Sequence, residues 1–348
     1  MFTIFNLGTS ILILIILLLF IIGHLMTIFE RYSKNPILTP NKDIWWESKA
    51  VFNCSVSYDG KSVHMLYRAI GEYDHYISRI GYASSSDGFQ FERRPNIAIL
   101  PTEDYEKHGM EDPRITQIDD KIFVTYVVLS ECVKNHPKIF SALAVTKNYD
   151  KFDKLGIITK NFENNKDVIF FPDKFKIDYE FSDNNSSFLI LHRPTSLSNP
   201  DYQISRPSIW LSITNTESTL SNSVLLLKPE QDWENLKVGG GPSPIKTKEG
   251  WLLIYHGVSA DKVYRAGAAL LDLKDPRKVI ARTKQPILEP EEDYEKIGDV
   301  NNVVFPTGTV LIDKKIFLYY GGADRVCCVA SAILDELIEH ILKDSITA

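Results

Sequence analysis

Asp59-Gly60-Lys61-Ser62-Val63-His64-Met65-Leu66-Tyr67-Arg68 starts in a polar turn and runs out as an apolar strand ending on tyrosine and arginine. The pattern recurs four times, as Asp119-Asp120-Lys121 to Thr125-Tyr126, Asn184-Asn185 to Leu191-His192-Arg193, Glu249-Gly250 to Tyr255-His256-Gly257, and Asp313-Lys314 to Tyr319-Tyr320-Gly321. Counted from Asp59, Asp120, Asn184, Glu249 and Lys314, the steps are 61, 64, 65 and 65 residues, and such even spacing marks a repeated supersecondary unit. A second strand follows most copies, in Arg79-Ile80-Gly81-Tyr82-Ala83, Ser141-Ala142-Leu143-Ala144-Val145, Ser208-Ile209-Trp210-Leu211-Ser212 and Ala266-Gly267-Ala268-Ala269-Leu270. The unit is therefore a multi-stranded antiparallel sheet. Asp104-Tyr105-Glu106-Lys107-His108-Gly109 returns as Asp293-Tyr294-Glu295-Lys296-Ile297-Gly298, a linking loop shared by two units. Five small sheets, none able to bury both faces alone, bury them against one another by radial packing, so the reading is an all-β, five-bladed β-propeller. Strand spacing alone also admits a tandem of two β-sandwiches. Apolar residues at helical spacing over 332–342 predict a C-terminal helix on the outside.

The chain has 348 residues, a length that one propeller commonly uses whole. A formal charge of -6 gives no general attraction for nucleic acid, so any bound anion needs a local cluster of cations. Cys54, Cys132, Cys327 and Cys328 are too few and too scattered for a disulfide framework and show no zinc spacing; they read as reduced, mostly buried apolar residues. The histidines likewise lack ligand spacing, and no metal site is expected.

Residues 1–29 carry no Asp, Glu, Lys or Arg, and 11–22 is almost purely aliphatic. Continued to Phe29, the stretch reaches the roughly 20 residues that span a bilayer as a helix. Residues 1–30 are thus read as a hydrophobic N-terminal helix and membrane anchor, and 31–348 as the propeller. A signal peptide fits less well, since no Lys or Arg precedes the stretch and no small-residue cleavage site follows it. Arg31, Lys34 and Lys42 favour a cytoplasmic propeller by the positive-inside tendency. A start further downstream, or removal of the segment, would leave the protein in the cytoplasm. The sequence also leaves a homo-oligomer open.

In a propeller the inner strands converge on an axis, so polar residues distant in the chain meet in one funnel. The repeat ends bring Arg68, His192, Arg193 and His256, and Asp324 follows the fifth strand. The bland alternative is a set of turn-proximal surface contacts. Glu111-Asp112-Pro113-Arg114 sets two carboxylates beside a proline that fixes the backbone and an arginine able to pair with one of them. One carboxyl is then a candidate proton donor, against the reading of a turn with a surface ion pair. Gly239-Gly240-Gly241-Pro242-Ser243-Pro244 would let backbone approach a ligand, although a glycine-rich stretch is weak on its own.

These segments resemble the ordered motifs of glycoside hydrolase family 130, the β-1,4-mannoside phosphorylase family. The resemblance runs through Asn35-Pro36-Ile37-Leu38, Trp45-Trp46-Glu47-Ser48, Val51-Phe52-Asn53, Tyr67-Arg68-Ala69, Glu111-Asp112-Pro113-Arg114 and Lys166-Asp167 with Phe171-Pro172. It continues in Leu191-His192-Arg193-Pro194, Gly241-Pro242 with Pro244-Ile245, Tyr255-His256-Gly257 and Gly321-Gly322-Ala323-Asp324. It implies a five-bladed propeller that cleaves β-1,4-linked mannosides with inorganic phosphate, inverting the anomeric centre to give α-mannose 1-phosphate. It also implies Asp112 as general acid, acting through the 3-hydroxyl of the mannosyl unit, and Arg193, Lys237 and His256 as phosphate ligands, with Tyr264 as a hydroxyl donor. Lys166 stands where an arginine or lysine is expected; Asn53, Arg68 and Asp324 would line the mannosyl pocket. No cofactor beyond phosphate as co-substrate is implied, and the partners are the oligosaccharide and phosphate.

As a proton donor, Asp112 must be protonated, and a partly desolvated pocket would raise its pKa. An inverting hydrolase needs a second carboxylate to activate water, whereas a phosphorylase needs an anion pocket, and the cations favour the latter. The alternatives are an inverting β-mannoside hydrolase and a catalytically silent glycan-binding propeller. Two features depart from the family: the N-terminal hydrophobic segment, and a polar insertion at 177–187 expected to reshape the acceptor side.

Overall fold

The structure, a computed structural model, describes residues 28–133, 136–160, 164–176, 186–195 and 205–345. Five antiparallel sheets follow one another, each ordered from an inner strand outward. Blade 1 comprises Ala50–Tyr58, Val63–Ile70, Ser78–Ser85 and Glu92–Arg93; blade 2 comprises Met110–Ile118, Lys121–Val133, His136–Thr146 and Asp153–Ile157. Blade 3 comprises Asn165–Phe175, Ser187–Pro194, Ile209–Thr214 and Ser223–Leu227. Blade 4 has Lys237–Gly240 and Ile245–Lys246 on the inside, then Trp251–Val258, Tyr264–Leu271 and Val279–Arg282. Blade 5 takes Val304–Ile312, Lys315–Gly322 and Val326–Ile333 from the end of the chain and its outer strand, Glu30–Arg31, from the beginning. The expected domain boundary at residue 31 falls inside this closing strand, and Phe29 is already buried in the core.

Side chains alternating along each second strand serve the blades on either side. Met65 and Tyr67 pack with Tyr319 and Val329 of blade 5, whereas Leu66 packs with Val124 and Tyr126 of blade 2. Phe123 meets Ile190, Leu191 meets Leu253, and Ile254 meets Leu318 in the remaining seams. The seams close into a ring, which two sandwiches in tandem would not form. Sheets buried on both faces explain why the repeats read as nearly continuous apolar runs. The C-terminal helix, Leu334–Lys343, buries Leu337, Ile338 and Ile341 on the outside of the seam between blades 4 and 5.

A buried carboxylate recurs in the segment that enters each of four blades. Glu47, Glu106, Glu234 and Glu295 follow an aromatic residue and accept from Tyr67 (2.5 Å), Tyr126 (2.8 Å), Tyr255 (3.0 Å) and Tyr320 (2.7 Å) of the second strands. Arg93, Lys154, Arg282 and Arg31 on the outer strands neutralise them. Full pairing makes such a burial tolerable and fixes linker to blade. In blade 3 His192 takes the tyrosine position, bonding Ser223 Oγ through Nε2 (2.9 Å) and Asn165 through Nδ1. His192 is therefore part of this framework, and the expectation that it reaches the funnel is corrected.

The expected hydrophobic helix over 11–29 lies, up to residue 27, outside the described residues. Among the described residues no helix is long and apolar enough to cross a membrane. Residues 177–185 also lie outside them, but the flanking pair Phe175 and Ser187 closes blade 3 at the end opposite Lys166 and Arg193. The turn between first and second strands is at that end in every blade. Cys54, Cys327 and Cys328 are free and buried.

Candidate active site

A polar cavity of about 350 Å³ opens on the axis where the inner strands begin and the second strands end. All nine residues assigned a role from the sequence line it: Asn53, Arg68, Asp112, Lys166, Arg193, Lys237, His256, Tyr264 and Asp324. So does Asp167, which sequence reasoning quoted in a motif but gave no role.

The inner strands of blades 1, 2 and 3 each break register near the pocket end, between Phe52 and Ser55, Glu111 and Arg114, and Lys166 and Ile169; blade 3 breaks again between Phe170 and Lys174. At these bulges Asn53, Asp112 and Asp167 take left-handed backbone conformations, with φ of 49°, 49° and 52°. Asn and Asp tolerate that region better than other non-glycine residues, and a bulge re-aims one side chain out of the ladder. Repetition of the bulge is what points three polar side chains at the axis. Aligning the repeats at Phe52-Asn53, Glu111-Asp112 and Lys166-Asp167 is the signal that could have found Asp167. Across each ladder, Arg68 faces Phe52, Arg193 faces Lys166 and His256 faces Gly239.

Asp112 Oδ1 accepts from Asn53 Nδ2 (2.8 Å) and Arg68 Nη1 (3.3 Å). Arg68 also donates to Glu111 Oε1 (2.6 Å) and Ser78 Oγ (2.9 Å), and Lys166 Nζ reaches Glu111 Oε2 (3.3 Å). Burial pushes the Asp112 carboxyl up, but Arg68, Lys166, Arg114 and the Asn53 hydrogen bond outweigh it and hold it below the usual carboxylate range. The expected upward shift is therefore reversed, because desolvation acts beside three cations. Burial instead pushes Asp324 up to about 7, with Arg68 opposing and Asp112 and Glu111 reinforcing.

On the other side of the cavity Asp167 Oδ2 accepts from Arg193 Nε (2.5 Å), with His256 Nε2 at 3.8 Å; Arg114 Nη2 is 3.7 Å from Oδ1. Burial would raise Asp167, but Arg193, His256 and Arg114 hold it well below the usual range. Arg114 therefore faces Asp167 as well as its sequence neighbours: its Nη1 donates to Asp112 O and Pro113 O (3.4 Å each), and its Nε bonds Gly241 O across the axis (3.0 Å). Burial brings His256 down to about 3, aided by Arg193 and Lys237 against the pull of Asp167, so the expected positive imidazole is neutral. Its ring nitrogens have no hydrogen-bond partner although the residue is fully buried. Lys237 Nζ bonds Tyr264 Oη (3.0 Å), which leaves the phenolic hydrogen available to a ligand.

Gly239 and Gly240 lie in a buried strand, not in a ligand-facing loop as expected. A Cβ on Gly239 would strike Asp167, His256 and Arg193, and one on Gly321 would strike Asn53. These glycines make room for protein side chains. Arg68, Arg114, Lys166, Arg193 and Lys237 outnumber the low-pKa Asp112 and Asp167 with Glu111, so the site carries positive charge within an acidic chain. Among the described residues no group of His, Cys, Asp and Glu is placed to hold a metal ion.

The closed five-bladed ring, with an axial cavity that sets a carboxyl beside clustered cations, defines the class as a β-propeller with a polar site built for an anion and a proton donor. The chain belongs to glycoside hydrolase family 130: the family profile described as beta-1,4-mannooligosaccharide phosphorylase matches residues 27–343. The 1,2-beta-oligomannan phosphorylase of Thermoanaerobacter sp. (strain X514) is 40% identical over 307 residues, 86% of this chain and 96% of that protein. The beta-1,4-mannooligosaccharide phosphorylase of Ruminococcus albus is 28% identical over 331 residues, 90% of this chain and 91% of that protein. The solved beta-1,2-mannobiose phosphorylase of Listeria innocua, in complex with beta-1,2-mannobiose, superposes with a TM-score of 0.78 at 29% identity, covering 90% of this chain and 99% of its own.

Proposed function

We propose that the protein is an inverting phosphorylase of β-1,2-linked mannosides that releases α-mannose 1-phosphate. The observation that carries the reaction type is the shared cavity, with Asp112 on one wall and Lys166, Arg193 and Lys237 within the same 350 Å³. Phosphate is the co-substrate. Its oxygen attacks the anomeric carbon from the face opposite the β bond as that bond breaks, and the leaving oxygen takes a proton from the 3-hydroxyl of the mannosyl unit, which Asp112 replaces with its own. Hydrogen phosphate gives up its own proton on becoming the sugar ester, and returning it to Asp112 closes the cycle. Arrival of a dianion offsets the cations that hold the Asp112 carboxyl down, so phosphate binding itself favours the protonated acid. Arg193 Nη atoms, Lys237, Lys166, Tyr264 and the neutral His256 would hold the anion; Asn53, Arg68 and Asp324 would border the mannosyl unit.

The β-1,4 linkage implied by the sequence resemblance is less favoured. The relative named for β-1,2-oligomannan is 40% identical, against 28% for the β-1,4 enzyme. In a hydrolase Asp324 would be the candidate base, and Lys166, Lys237 and the Arg193 Nη atoms would have no anionic substrate to bind. Incubation with β-1,2- and β-1,4-mannobiose, each with and without phosphate, tests both parts. α-Mannose 1-phosphate from the β-1,2 substrate is expected; free mannose released without phosphate would establish the hydrolase, and preference for the β-1,4 substrate would overturn the linkage.

Burial first, and Arg193 next, push the Lys237 ammonium down to about 8. It loses its charge as pH rises through that value, so KM for phosphate is expected to rise roughly tenfold from pH 7 to pH 9. A flat profile by initial rates would remove Lys237 from the anion site.

A further inference from the structure

We propose that Tyr73 and Tyr76 form the platform on which the acceptor-side sugar of the mannoside stacks; this rests on the phosphorylase reading above. Both lie in the segment joining the second and third strands of blade 1, at the pocket end of the propeller. The two rings stack with centroids 6.1 Å apart and planes 19° from parallel. Tyr76 stands 5.9 Å from the guanidinium of Arg68, which lines the cavity, and Tyr73 lies further out with 46% of its surface exposed. The pair thus leads outward from the wall that holds Asp112.

A second element fixes the platform in place. Tyr73 Oη donates to Asp299 Oδ1 (3.0 Å), and the next residue, Val300, lines the cavity while remaining exposed. Asp299 Oδ2 is buried and has no hydrogen-bond partner. An exposed aromatic face beside a carboxylate with unused acceptor capacity suits a ligand that offers both a hydrocarbon face and hydroxyl donors, and a pyranose has both. Lys49 Nζ, 5.8 Å from the Tyr73 centroid, adds a donor at the rim. Tyr76 holds a left-handed backbone (φ 51°), which is unusual for an aromatic residue and tends to occur where a side chain is placed for function.

The synthetic direction separates the two sugar sites, with α-mannose 1-phosphate as donor and mannose as acceptor. Tyr73→Ala is expected to raise KM for mannose about tenfold while KM for α-mannose 1-phosphate stays within about twofold. Tyr73→Phe keeps the ring but frees Asp299, and its rise should be smaller. An unchanged acceptor KM in Tyr73→Ala, or an equal rise for both substrates, would overturn the platform. If the unaltered protein makes no disaccharide at all, the phosphorylase reading fails instead. Calorimetric titration with β-1,2-mannobiose then decides the platform: weaker binding by Tyr73→Ala supports it, and equal binding rejects it.

Discussion

Asp112→Asn should lower kcat for mannoside phosphorolysis by about 10²- to 10⁴-fold, the usual worth of a positioned general acid. The substitution is nearly isosteric, and the new amide oxygen can still accept from Asn53 Nδ2 and Arg68 Nη1, the two bonds Asp112 makes at 2.8 and 3.3 Å. The left-handed backbone at residue 112 also suits asparagine. What is lost is the exchangeable proton and the negative charge facing Arg68, Lys166 and Arg114. Phosphate affinity should therefore be kept or improved, since one like charge leaves the neighbourhood of the anion. The sign with pH follows from the acid's role: in the wild type kcat falls as pH rises past the point where Asp112 in the ternary complex gives up its proton. Stopped assays across pH, with calorimetric titration of phosphate, provide the check. A variant that retains wild-type turnover would take Asp112 out of the reaction.

Arg193→Met should damage both stability and anion binding. It leaves Asp167 fully buried with Arg114 and His256 no closer than 3.7 and 3.8 Å. Removing one partner of a buried pair costs about 3–5 kcal/mol, because the remaining charge keeps its desolvation penalty. The melting temperature should fall by several degrees, and KM for phosphate should rise by about two orders of magnitude with loss of charge-assisted hydrogen bonds. The double substitution Arg193→Met with Asp167→Asn removes the stranded charge and should recover most of the stability without recovering phosphate binding. Recovery of both would mean that Arg193 acts only through the fold. Recovery of neither would mean that Asp167 is not the group left exposed to the penalty.

The family relationship gives these tests their chemical setting, but the charge states come from the assembled site. Read from sequence, Asp112 looked like a carboxyl raised by burial and His256 like one of several cations. Packing reverses both. Asp112 has Arg68 and Lys166 within the same cavity, whereas His256 is sealed between Arg193 and Lys237, where a further positive charge is unfavourable. Neither neighbour is close in the chain, so no local pattern could reveal the outcome. Arg114 shows the same limit, since its place beside Asp112 in sequence gives no sign that its guanidinium also reaches toward Asp167 and bonds Gly241 across the axis.

Much was nevertheless written in the chain itself. Five polar turns at steps of 61 to 65 residues determined the number of blades, and nearly continuous apolar strands determined that both faces of each sheet would be covered, because side-chain period is a local property of a strand. Nine of the residues that line the cavity were also legible, through the order of motifs and the polar ends of the repeats. Only the tertiary structure decided that an N-terminal strand completes blade 5, that His192 belongs to the framework, and that repeated bulges turn Asn53, Asp112 and Asp167 to the axis. Ring closure and electrostatic coupling depend on distances between segments far apart in the chain, and those distances exist only once the blades have packed.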